Sequence, residues 1–106
     1  MVTIDDFKKL NIIIAQVKDA REHPQADKLY LLTVDTGHKE KQLVAGIRSS
    51  YAKEDLIGRK IVVIDNIEPA VIRGEESQGM LLAAQDENGI HILVPDKDAK
   101  IGSPVR

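Results

Sequence analysis

The chain has no cysteine and no tryptophan. Without cysteine there is no disulfide framework and no thiolate metal site, which suits a reducing compartment. Aromatic side chains are nearly missing as well, with only Phe7, Tyr30 and Tyr51 present. A protein that grips single strands by stacking bases on rings needs more than these. No apolar run approaches the ~18 residues of a membrane span, and no charged-then-apolar leader opens the chain. An excess of one charge is lacking too: 15 basic residues stand against 17 acidic ones, a net of −2. That balance excludes coating of nucleic acid by bulk charge and leaves room for a local basic patch. These absences lead us to expect a soluble, cytoplasmic protein with no membrane partner.

What is present is ordinary for a globular chain. The apolar fraction is 42% and the length of 106 residues suits one domain, residues 1–106. Folding at this size removes roughly 65% of the unfolded surface from water, enough for one modest core. TIDDFKKL, from Thr3 to Leu10, predicts a short helix capped by Thr3, with Asp5 and Asp6 in the first turn, where the helix dipole favours anions. NIIIAQVKDA, from Asn11, predicts a strand with apolar residues on both faces, because Ile12, Ile13 and Ile14 are consecutive. One face can enter the core. The other must meet the N-terminal helix or another chain.

HPQAD is turn-forming, and Leu29–Asp35, Lys41–Ala45 and Arg59–Ile67 predict further strands. A short helix through YAKEDL, capped by Ser49 or Ser50, lies before the last of these, with Gly58 just past its end. A loop from Pro69 to Gln78 leads into a strand MLLAAQ, an Asn88-Gly89 turn, a strand Ile90–Val94 and an irregular tail. Three strands, a short helix and more strands match an all-β fold, a small oligonucleotide/oligosaccharide-binding (OB) Greek-key barrel with short helices. An open antiparallel sheet with flanking helices is the competing arrangement.

Enzymatic signals are weak. His23, His38 and His91 lack the spacing of a zinc site, and we expect surface or turn positions for them. Ser77 lies between Gly74 and Gly79, close to a nucleophile elbow. However, Gly74 is one residue too far, and a loop-to-strand order replaces the required strand-to-helix one. Glu75 and Glu76 would repel a developing oxyanion. AGIRSS has neither the spacing nor the lysine of a P-loop. What remains is binding. Lys28, Arg48, Arg59, Lys60 and Arg73 fall at strand ends or in loops, beside small polar groups such as Ser49, Asn66, Ser77 and Gln78. Such a rim would read the backbone shape of a folded RNA rather than its sequence.

HPQADKLYLLTVDTG, VAGI, GRKIVVIDNIEP and SQGMLLAA, in that order, resemble the tRNA-binding domain found at the methionyl-tRNA synthetase C-terminus and as free-standing tRNA-binding proteins. The resemblance runs from about Ile4 to Val105. It implies a non-catalytic barrel without cofactor or metal, usually a homodimer, that binds tRNA by shape and assists methionyl-tRNA synthetase in cis or in trans. Carried onto this chain, the implied RNA contacts are Lys28, Asn66, Arg73, Ser77, Gln78 and Met80, the last of which could equally be core because it opens an apolar strand. A related branch is described as export-related chaperones, so a peptide-binding module is the alternative. The chain departs from the family pattern at Ile13, where relatives carry arginine, and at Glu68, Ala70, Glu75 and Glu76. Each change removes positive charge from the expected rim or adds negative charge to it, which weakens RNA binding and flattens its salt dependence.

Overall fold

The computed structural model describes all 106 residues. Five strands form the main antiparallel sheet: β1 (Ile12–Glu22), β2 (Tyr30–Asp35), β3 (Glu40–Ala45), β4 (Lys60–Ile64) and β7 (Met80–Leu81), in the order β3-β2-β1-β4-β7. Two hairpins are added, β5 (Ala70–Ile72) with β6 (Glu75–Ser77), and β8 (Ala83–Asp86) with β9 (Gly89–Ile92). The helices are α1 (Ile4–Lys8) and α2 (Lys53–Leu56). No helix is long and apolar enough to cross a membrane.

β1 organises the barrel. Its first half pairs with β4 and its second half with β2, and its register slips between Val17 and Asp19. An extra residue at this point, Lys18, bends and twists the strand so that it can serve both neighbours. Ala15, Val17 and Ala20 point into the main core with Leu32, Val34, Leu43, Ile61 and Val63, and Leu56 of α2 joins them. Tyr30 belongs to this core and donates its hydroxyl to the carbonyl of Tyr51 at 2.6 Å, so the ring is buried with its polar handle satisfied.

The barrel is nearly closed, and side chains make its seam. Where β3 meets the β6–β7 junction, the backbone N–H of Gln78 donates to the carbonyl of Gln42 at 2.8 Å. The N–H of Gln42 then donates to Oε1 of Gln78 at 2.9 Å, and that of Val44 to Oγ of Ser77 at 3.0 Å. Two side-chain oxygens thus take the place of ladder carbonyls and spare two strand N–H groups from burial without a partner. Gly79 sits at this seam because an ideal Cβ would lie 2.9 Å from Leu43 Cδ2 and 3.1 Å from the Ile64 carbonyl. These observations support the OB-type barrel over the open sheet.

Several local expectations need correction. The Pro69–Gln78 segment is the β5–β6 hairpin rather than a loop, turning at Arg73 and Gly74, both with positive φ. Those two left-handed residues match the twist of the strands they join. MLLAAQ breaks into β7 and β8. Leu81 packs on the main core and Leu82 on a second cluster, so the strand must bend to serve both. Neither Ser49 nor Ser50 caps α2, whose N-cap is Ala52 without a side-chain bond. Ser50 Oγ instead accepts from the N–H of Ile90. At the Asn88-Gly89 turn only Gly89 takes a positive φ.

The second face of β1 is covered by the C-terminal tail and Leu82 rather than by the helix. Ile12, Ile14 and Val62 form a cluster packed by Ile64, Leu82, Ala99 and Val105. The tail forms no regular element, as expected, but it is bonded to β1. It runs antiparallel to β1, with Gly102 N–H donating to the Ile14 carbonyl, Val105 N–H to that of Ile12, and Ile14 N–H to that of Ser103. Pro104 bridges Ile13, which is 5% exposed. α1 forms where expected, with a Thr3/Asp6 capping box, yet buries no residue.

Candidate nucleic-acid interface

The His23–Leu29 turn joins β1 to β2. It faces the β5–β6 hairpin across a crevice of about 430 Å³, lined by Gln25, Ala26, Asp27, Lys28, Leu29 and Arg73. Lys28 and Arg73 are exposed there. Arg73 donates from Nη2 to the Gln25 carbonyl at 3.0 Å, which ties hairpin to turn and leaves its other N–H groups for a ligand. Neither cation is in an ion pair, whereas Lys41, Arg48, Lys53 and Lys60 all are.

The other expected contact residues lie elsewhere. Ser77 is 4% exposed. Its hydroxyl accepts from Val44 N–H and donates to the Gly79 carbonyl at 2.9 Å, so it is a seam group with no histidine or carboxylate among its partners. Gln78 is half-buried with its carbonyl oxygen committed to Gln42, leaving its amide nitrogen as the free end. Asn66 accepts from Asn11 N–H at 2.7 Å and donates to the Lys9 carbonyl at 2.8 Å. It fastens the α1–β1 corner, at the other end of β3 from Lys28. Met80 is 49% exposed at the edge of an apolar depression formed with Ala45, Gly46, Ile47 and Leu82, so it is a surface residue rather than a core one.

The Glu75-Glu76 departure has a structural account. Gln42 donates from Nε2 to the Glu76 carbonyl at 2.9 Å and to Glu75 Oε1 at 3.4 Å, while its own Oε1 accepts from Arg21 at 3.4 Å. Glu75 thus joins a bridge whose far end is a cation. Glu76 stays exposed. Asp65, 7% exposed, lies 2.7 Å from Lys41 Nζ through Oδ1, although the aligned N–H of that lysine goes to the Asp65 carbonyl at 2.8 Å.

Sequence reasoning missed His23. It lies in the turn as expected, but it is 4% exposed and bonded through both ring nitrogens. Its only sequence signal was its place at the base of the turn, directly before Pro24. His38 and His91 are exposed, and no group of three or more His, Cys, Asp or Glu side chains converges.

Residues 12–104 match the family described as "Putative tRNA binding domain". The chain is 48% identical over 105 residues to the methionine–tRNA ligase of Thermococcus onnurineus (strain NA1), a match that covers 99% of this chain and 14% of the ligase. The crystal structure of a MetRS related protein from Pyrococcus horikoshii has the same fold, with a TM-score of 0.92 at 32% identity over 100% of this chain and 98% of that one. The CsaA chaperone protein from Picrophilus torridus gives a TM-score of 0.93 at 29% identity over the full length of both. A match this extended, over a barrel with the expected strand order, means that the chain belongs to the tRNA-binding domain family.

Proposed function

We propose that this domain binds tRNA without catalysis, reading the shape of the folded backbone, and that it serves methionyl-tRNA synthetase as an attached or associated module. The observation that carries this is the pair of unpaired, exposed cations, Lys28 and Arg73, facing one crevice in a member of the tRNA-binding domain family. The synthetase link rests on the ligase relatives, of whose length the chain spans about 14%. The aromatics fit shape reading: Tyr30 is core, Tyr51 is half-buried under Arg59, and Phe7 lies on α1, so no ring faces the crevice. Direct contacts are assigned to Lys28, Arg73, the free amide nitrogen of Gln78, and Met80. Ser77 and Asn66 hold the frame.

The domain acts as a homodimer. α1 and the residue after its cap place Ile4 (70% exposed), Phe7 (39%) and Leu10 (45%) along an apolar groove of about 460 Å³ that Ile12 and Val105 also line. A helix of five residues that buries nothing has little stability of its own. A second copy, related by a two-fold axis, would cover both helices at once.

Titration of a folded tRNA against the domain at two salt concentrations tests the function. Binding that weakens as salt rises is expected, and Arg73→Ala should weaken it for all tRNAs alike and reduce the salt slope by about one. No shift at low salt by the folded protein would sink the proposal. A chaperone reading draws on the CsaA neighbour and on the exposed groove at α1. Suppression of client aggregation without tRNA binding would favour it.

A further inference from the structure

His23 is buried, and its two ring nitrogens have different partners. Nδ1 accepts from the backbone N–H of Gln25 at 3.0 Å. An amide N–H can only donate, so Nδ1 carries no proton, and the ring's single proton sits on Nε2. From there it is donated to the Ile72 carbonyl at 3.2 Å. Ile72 closes β5 and directly precedes Arg73, whose φ of 51° fixes the hairpin's turn. Arg73 in turn donates to the Gln25 carbonyl at 3.0 Å. The connections form a ring: from His23 across to Ile72, along the chain to Arg73, back across to Gln25, and home to His23. Main-chain bonds from His23 N–H to the Leu29 carbonyl and from Leu29 N–H to that of Ala26 hold the turn itself.

A buried polar ring is costly unless bonded, and a leucine would fill the same space without that demand. What histidine supplies is direction, a rigid link with an acceptor at one end and a donor at the other. We propose that His23 is the positioning residue of the RNA site. By locking the turn to the hairpin it sets the separation of Lys28 and Arg73, so that both engage neighbouring phosphates of one sugar–phosphate segment. This rests on the tRNA-binding function proposed above.

The test uses the whole chain, with folding of each variant checked by thermal melting and affinities expressed per folded molecule. His23→Leu removes both ring bonds. His23→Gln places a donor where Nε2 was and keeps the crossing to Ile72, whereas His23→Asn keeps only the contact inside the turn. We expect His23→Leu and His23→Asn to bind tRNA about tenfold more weakly, and His23→Gln to recover most of that loss. In the His23→Leu background, Arg73→Ala should cost about fivefold less than in the wild type, since the two residues act as one unit. A purely structural histidine would not move that coupling. An equal Arg73→Ala cost in both backgrounds, with wild-type binding intact, overturns the role of His23 alone. Absence of tRNA binding by the wild-type domain overturns the function and this role together.

Discussion

Hydrogen-bond accounting at single residues separates frame from surface. Ser77 looks like a contact residue in the sequence, but both capacities of its hydroxyl are spent inside the seam. Ser77→Ala leaves the Val44 N–H without its acceptor, and we expect a stability loss of about 1–3 kcal/mol. Denaturant melts would show this, while tRNA affinity per folded molecule stays within about twofold of wild type. A tenfold affinity loss at unchanged stability would return Ser77 to the contact surface. Asp86, in the β8–β9 hairpin, supplies a pH prediction. The His91 ring bonded to it at 2.9 Å, and then the Asn88 N–H, hold its carboxyl below the usual 3.8. A depressed folded-state value means that the carboxylate's stabilisation is complete above 3.8 and fades as pH falls through the lower folded value. An NMR titration should find Asp86 ionising at lower pH than a free aspartate, and His91→Ala should move it back up.

Among the elements, the seam between β3 and the β6–β7 junction carries the greatest strain on sequence choice. Closure brings Gly79 against the Leu43 side chain and the Ile64 carbonyl, and the carbonyl cannot yield by changing rotamer. Gly79→Ala should therefore cost about 1–3 kcal/mol and lower the melting temperature by ~5–15 °C. An unchanged melt would mean that the seam is looser than its geometry implies. Gln42 is the companion piece. One side chain spans Arg21 on β1 and both glutamates of β6, so at this point an amide rather than an ion pair links the hairpin to the barrel. That arrangement ties down the Glu75 carboxylate and leaves the Glu76 side chain exposed.

For the molecule as a whole, the tail rather than α1 covers the second face of β1. The tail seals Ile12, Ile14 and Val62, and α1 is left with its apolar residues outward. Burial of those residues against a second copy predicts that Phe7→Glu shifts the protein from dimer to monomer in sedimentation at micromolar concentration. The barrel's own melt should change little, because Phe7 is 39% exposed and lies outside both core clusters. A wild-type protein that sediments as a monomer at tens of micromolar would remove the dimer from the proposal.

Much of the fold was legible in the residues alone. A run of β-branched residues marked β1, Thr3 with Asp5 and Asp6 marked the start of α1, and Gly58, with φ of 90°, marked the end of α2. Such signals are local, set by propensity, capping and permitted dihedrals within a few residues. The ordered motifs also sufficed to indicate the family. Tertiary structure alone decided which polar residues face outward. Ser77 and Gln78 became seam groups because β3 arrives from some 33 positions away needing acceptors. The tail became a cover because three isoleucines in a row leave a second face to be sealed. His23 became a link because two hairpins close around it. Each of these depends on what a side chain meets across the barrel, and no spacing along the chain encodes that.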